Sequence, residues 1–330
     1  LLRWPNVIGV GVGKKYRNGH PTDREAVVVL VARKLPESQL ASYEVLPQSL
    51  GPGVLTDVIE VGEVKALMPS NEEVSFRHGR QRPAPGGVSI GHREVTAGTL
   101  GTVVRDVESD EPLILSNNHV LVSGRLAYGE HVPGDEDVIL QPASYDGGHA
   151  PVDVIGYLRR FVPISLEERQ AICPVAKRAE RGINVLFRML APGYCVQLRR
   201  LGRGDNLVDA AVAAPAAGDL VSAEIRGIGE PTGTGSAEVG MQVRKSGRSS
   251  GLTEGEVTTV GASIKVKMGE GEEALFQEQI ITDPMARPGD SGSVLVDEKN
   301  RIVGLLSAGS DRISIASRID NVFDLLEIRL

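Results

Sequence analysis

Only two cysteines, Cys173 and Cys195, occur in 330 residues. That excludes a fold stapled by several disulfides, as small secreted domains often are, and favours a reducing, cytoplasmic setting with both thiols free or buried. Aromatic residues are also scarce, at 4%, so aliphatic side chains must fill the core. No run approaches the roughly 18 apolar residues of a membrane-spanning helix. The opening Leu-Leu-Arg-Trp-Pro lacks the charged leader and apolar stretch of a signal peptide. Surplus positive charge is missing too: a formal net charge of -7 argues against broad attraction to nucleic acid or anionic lipid.

What is present is glycine (39 residues) and proline (19) punctuating many short Val, Ile and Leu runs, the texture of a chain dominated by short strands. The length suits two or three packed units. Residues 6–13 and 26–32 read as strands joined by an Asn18-Gly19 turn, a short helix is expected between Leu35 and Pro47, and Thr56 to Val61 reads as another strand. Together they predict a small N-terminal α+β domain, which with its linker spans 1–84. The alternating Gly9, Gly11 and Gly13 do not make a phosphate loop, because no Gly-Lys-Ser/Thr ending follows and no helix opens after them. Residues 69–87 have the Arg, Pro and Gly content of a linker.

A strand and turn rhythm then predicts a first β-barrel over 85–215. It is interrupted by a helical insertion at about 163–192, where Ser165 and Glu168 have capping-box spacing and Pro174 is expected to split the helix. A second set of strands, beginning near Gln242, predicts another barrel over 216–330. It closes on a terminal helix from Asn321 to Ile328, with Val322, Leu325 and Leu326 facing inward.

The sharpest chemical signal is Arg287-Pro-Gly-Asp-Ser291-Gly-Ser293 between two strand patterns. Gly289 and Gly292 permit a tight turn that projects the Ser291 hydroxyl and lets the Gly289 and Ser291 amides converge as an oxyanion hole. A serine hydroxyl needs a base. Of six histidines, His119 ends the apolar run Leu113 to Val120, whereas His20, His78, His92, His131 and His149 read as solvated surface residues. The base in turn needs a buried acid. Asp209 interrupts an apolar stretch, where an unpaired carboxylate is costly, and Asp205 and Asp153 are the alternatives.

The order His119, Asp209, Ser291 resembles that of the trypsin/chymotrypsin serine protease family, not that of subtilisins or α/β-hydrolases. More closely, Ser116-Asn-Asn-His-Val, the N-terminal Gly-Val-Gly-Val-Gly and Pro85-Gly-Gly-Val-Ser-Ile-Gly-His resemble the cysteine-poor trypsin-like proteases of the plant Narrow Leaf type. The resemblance implies a mainly β, chymotrypsin-like double β-barrel with its site between the barrels, a peptide or protein substrate, no cofactor or metal, and homo-oligomerisation. It also places Met285 on one side of the specificity pocket and Ser307, Ala308 and Gly309 on another. An apolar Met285 implies a medium or apolar residue before the scissile bond. The family's usual partner for the acid before the nucleophile, here Asp290, is a new N-terminus. About 85 residues precede the first barrel, so Lys245, Arg248 and Arg287 become the candidates.

Residues 169–203 carry eight Lys and Arg against one acid, Glu180. A solvated face or intersubunit contact is the plain reading, and a nucleotide or nucleic-acid site the sharper one. The competing functional class is accordingly a protease-like scaffold that binds partners or anionic ligands through its N-terminal domain and this insertion.

Overall fold

The computed structural model describes the chain apart from residues 3, 5, 18, 19, 42, 43, 67–75, 96, 125–136, 167, 171–173, 191–195, 197, 198, 202–205, 270 and 271. Cys173, Cys195, His131 and Asp205 lie outside the described residues. The N-terminal part gives β1 (Val7–Arg17), β2 (His20–Val31), β3 (Ser49–Gly51), β4 (Val54–Glu60) and β5 (Lys65–Ala66). Then come β6 (Ala84–Gly86), β7 (Ser89–His92), β8 (Gly98–Thr99), β9 (Thr102–Asp106), β10 (Pro112–Ser116), the one-turn α1 (Asn118–Leu121), β11 (Val138–Leu140) and β12 (Val154–Phe161). The insertion holds β13 (Glu168–Gln170), α2 (Pro174–Leu190) and β14 (Arg199–Leu201), after which β15 (Ala211–Pro215) returns to the first sheet. The remainder is β16 (Val221–Ile225), β17 (Gly233–Thr234), β18 (Gln242–Gly247), β19 (Gly251–Gly269), β20 (Glu272–Thr282), β21 (Val294–Val296), β22 (Arg301–Gly309), β23 (Ser314–Arg318), α3 (Ile319–Leu326) and β24 (Ile328–Arg329).

The chain is mainly β, as its composition predicts. One sheet runs in the open order β24-β9-β10-β15-β12-β11-β7-β8. In the other, β18-β21-β22-β23-β20-β19 closes into a ring because β18 also pairs with β19, from Gln242 opposite Glu256 to Gly247 opposite Gly251. Closure removes the exposed edges that an open sheet leaves. The two sheets share a core in which Leu113, Leu115 and Val212 pack with Val294, Ile302 and Leu305, capped by Val322 and Leu326 of α3.

The N-terminal strands differ from the expected α+β unit. Among the described residues between Leu35 and Pro47 there is no α-helix but a 3-10 turn, Glu37–Gln39. The strands do not stand apart: β1 pairs antiparallel with β19, so β1, β2, β4 and β3 prolong the sheet that contains the ring. The reason is apolar burial, since Val28, Leu30, Val61 and Val64 join one core with Ile264, Phe276 and Ile315. The alternating glycines serve this junction. A Cβ on Gly11 would lie 2.5 Å from Thr259 Cγ2 and 3.2 Å from Ala262 Cβ, so only glycine lets β1 lie this close to β19.

Other expectations shift locally. Pro174 begins α2 instead of splitting a helix, at the position where a missing N–H costs nothing. Glu168, expected in a helix cap, is in β13. Residues 76–87 are not a free linker: Arg77 Nη1 donates to the Gly87 carbonyl and to Ser246 Oγ, each at 2.8 Å. In α3, Val322 and Leu326 are buried but Leu325 is 47% exposed. Among the described residues no helix is long and apolar enough to cross a membrane.

Candidate functional site

His119 lies on α1, at the end of the buried β10, and Asp209 lies in the approach to β15; β10 and β15 pair side by side, with Ser116 opposite Ala211. This pairing brings His119 Nδ1 to 2.5 Å from Asp209 Oδ2, and the His119 backbone N–H donates to Oδ1 at 3.3 Å. Asn117 Nδ2 donates to the Asp209 carbonyl at 2.6 Å, and the Asp209 N–H donates to Ser317 Oγ at 3.3 Å. Both side chains of the pair are more than 90% buried. With Asp209 ionised, Nδ1 carries the imidazole proton and Nε2 keeps its lone pair. Nε2 is buried and has no hydrogen-bond partner among the described residues. The alternative acid Asp153 is engaged elsewhere, 3.3 Å from Arg80 Nε.

Ser291 sits in the turn between β20 and β21, fully buried, with positive φ at Gly289 (97°) and Gly292 (94°) as the glycine spacing implies. Its Oγ donates to the Ser307 carbonyl on β22 at 3.2 Å. Within the turn, the Asp290 N–H is used by the Arg287 carbonyl and the Ser293 N–H by the Asp290 carbonyl. The turn is held against the first sheet by β8. An ideal Cβ on Gly98 would be 2.3 Å from Val120 Cγ2 and 2.9 Å from the Ser291 carbonyl oxygen, so Gly98 is wedged between the residue after His119 and the Ser291 turn.

Thr99 is the contact that sequence reasoning missed. Its N–H donates to the Ser291 carbonyl at 2.7 Å, its Oγ1 donates to the Gly289 carbonyl at 2.9 Å, and its carbonyl accepts from Ser116 Oγ at 2.8 Å. One residue of the first sheet therefore ties down the turn at two points and the His119-bearing strand at a third. A lone threonine in a strand carries no sequence signal for this; the contact exists only once the two sheets meet.

Asp290 finds its partner in Lys245. The Lys245 ammonium donates to Oδ2 at 2.9 Å, with both side chains fully buried. The same carboxylate accepts the N–H groups of Ser249 (2.9 Å), Ser250 (3.1 Å) and Arg287 (2.8 Å), together with Ser250 Oγ. Burial pushes the Asp290 carboxyl upward, but the Lys245 charge and these donors outweigh it and hold the group below the usual carboxylate range. Burial lowers the Lys245 ammonium, with Asp290 opposing. Of the other candidates, Arg287 contributes only its backbone N–H, and Arg248 instead makes a two-pronged pair with Asp146.

Met285 is buried at 4% exposure among Val243, Val257, Ile280 and Leu295, not open to solvent. Beside it, Ala286, Pro288, Gly309, Lys65 and Arg312 line a cleft of about 660 Å³. Ser307, Ala308 and Gly309 form the end of β22. Two histidines expected at the surface are not there: His78 and His92 are 6% and 1% exposed. Among the described residues no group of three His, Cys, Asp or Glu is placed to hold a metal ion.

The described chain is mainly β, with a closed strand ring and a buried His–Asp pair in the sheet packed against a serine turn. No family model matches the chain. Over 79 residues, 24% of this chain, it is 39% identical to Serine protease 2 of Streptomyces fradiae, and the chain spans only 42% of that relative's length. Among solved structures it is similar to Nocardiopsis protease (TM-score 0.45, 14% identity, 75% of this chain and 98% of that one). Cellulomonas bogoriensis chymotrypsin overlays with a TM-score of 0.42 at 16% identity, covering 75% and 97% of the two chains. A glutamic acid specific serine protease gives 0.46 at 14% identity, covering 75% and 100%.

Proposed function

We propose that this chain is a serine endopeptidase of the cysteine-poor, trypsin-like kind, with His119, Asp209 and Ser291 as its triad. The observation that carries this reading is the buried His119–Asp209 contact at 2.5 Å, which leaves Nε2 as an unpartnered base among the described residues. In the proposed reaction the Ser291 hydroxyl rotates from the Ser307 carbonyl toward Nε2. His119 takes the proton as Oγ attacks the peptide carbonyl, while Asp209 holds the tautomer and stabilises the imidazolium. The Gly289 and Ser291 N–H groups receive the developing oxyanion. His119 then protonates the leaving amine, and water, deprotonated by the same ring, hydrolyses the acyl-enzyme.

Asp290 shapes the turn through its bond to Lys245, so a pre-bonded internal cation does the work that a newly cut N-terminus does in relatives activated by cleavage. Met285, packed behind the cleft and not lining it, brings no charge there to receive a Lys or Arg side chain, so an apolar or medium-sized residue before the scissile bond belongs to the same proposal. Homo-oligomerisation, implied by the Narrow Leaf resemblance, belongs to the same proposal. Turnover of a peptide library by wild-type protein, lost in Ser291→Ala, is the expected result. Equal turnover by the alanine variant would overturn it. Asp209→Asn should lower kcat about 10⁴-fold, the effect of presenting the wrong tautomer.

A further inference from the structure

At Ala308 and Gly309, β22 has a strand on each side. One edge pairs with β23 at Ile315 and Ser314, and the other pairs antiparallel with β5, Ala66 opposite Ala308 and Lys65 opposite Gly309. The segment carrying β5 is firmly anchored. Val61 and Val64 are buried, the Lys267 N–H donates to the Val64 carbonyl at 3.2 Å, Ser310 Oγ donates to the Val61 carbonyl at 2.6 Å, and Arg312 pairs with Glu60 at 2.9 Å.

This edge starts at the nucleophile, because the Ser307 carbonyl accepts Ser291 Oγ. A peptide whose carbonyl carbon is bonded to Oγ must lead its acyl-side residues away from that point. An extended chain gains most by adding as a strand to a sheet edge, where main-chain hydrogen bonds supply affinity and alternate side chains supply selectivity. With β23 on one side and β5 on the other, the end of β22 offers no backbone for a third strand.

We propose that β5 sets the acyl-side specificity of this protein by occupying the peptide-pairing edge of β22. This rests on the endopeptidase reading above. Recognition then comes from the residue at the scissile bond and from the leaving side, and lengthening a substrate on the acyl side adds no affinity while β5 is in place. Removing β5 from the edge opens it to longer peptides.

The test uses the full chain, three probes and one variant. The probes are a small alkyl fluorophosphonate, a peptidyl phosphonate carrying a single valine, and the same phosphonate extended by three acyl-side residues. The variant is Lys65→Pro/Ala66→Pro, which removes both N–H donors of β5. In wild type, extension should change the second-order labelling rate less than about 3-fold; in the variant it should raise the rate about 10-fold or more, the yield of two or three new backbone hydrogen bonds. A gain of about 10-fold in wild type would overturn the proposal, as would no gain in a variant that the fluorophosphonate still labels. If the variant does not fold, the wild-type comparison alone decides. Failure of the fluorophosphonate on folded wild type would instead sink the endopeptidase reading itself.

Discussion

Lys245 and Asp290 are buried together, and neither is tolerable alone. Lys245→Met leaves a carboxylate in the interior without its cation, so denaturant unfolding should show a loss of about 3–5 kcal/mol. Adding Asp290→Asn to that variant should recover part of it, because the second change removes the stranded charge. Thr99 holds the Ser291 turn against the first sheet, and its Oγ1 also accepts the Arg248 N–H at 2.9 Å. Thr99→Val keeps the shape but removes the hydroxyl that holds the Gly289 carbonyl, and phosphonate labelling should slow about 10-fold, with Thr99→Ser restoring it. His92 accepts the Glu94 N–H on Nδ1 at 3.1 Å, which requires a neutral ring, and burial pushes its pKa below the ordinary value despite Asp137. The unfolded chain therefore takes up a proton below about pH 6.5 that the folded chain refuses, and stability falls as pH drops through that range. The decline in melting temperature between pH 7.5 and 5.5 should be shallower in His92→Gln. At this scale the sequence was informative where cost singles a residue out, as with Asp209 in an apolar stretch. It was silent where the partner is far along the chain: Lys245, Arg248 and Arg287 were equally eligible for Asp290 until β18 and the Ser291 turn were seen side by side.

Strands were legible from alternation and turn residues, but their partners were not. Nothing local to Val7–Arg17 says that it pairs with β19, some 250 positions later. The clue was the glycine alternation, which marks close backbone approach as readily as a phosphate loop. Gly11→Val should therefore lower stability by about 1–3 kcal/mol, the usual cost of forcing atoms into a packed junction. Gly51→Ala, with no atom within 4 Å of the added Cβ, should change it little. Helix reading failed where propensity met tertiary context. The pattern at 35–47 yields one 3-10 turn among its described residues, and Leu325 faces solvent because Ile319, Val322 and Leu326, at i, i+3 and i+7, form the buried face of α3 and Leu325 lies roughly 90° off it.

For the whole molecule, the two sheets contribute different halves of the chemistry. The proposed base and acid, His119 and Asp209, come from α1 and the approach to β15 beside the open sheet, and the turn carrying the proposed nucleophile, Ser291, comes from the ring. Burial of Leu115 and Val212 against Val294 and Leu305 holds them together, so the packing of the sheets sets α1 and the Ser291 turn on either side of Gly98 although His119 and Ser291 are 172 positions apart in sequence. The N-terminal strands, far from being an appendage, extend the ring's sheet and place β5 beside the end of β22. The proposed chemistry depends on Ser291 being an activated nucleophile. Labelling the wild-type chain with a fluorophosphonate at neutral pH and mapping the adduct by peptide mass spectrometry tests it directly. A single phosphonylated residue, Ser291, is expected, with labelling abolished in His119→Ala. A folded wild-type chain that stays unlabelled, or one labelled equally well without His119, would contradict it.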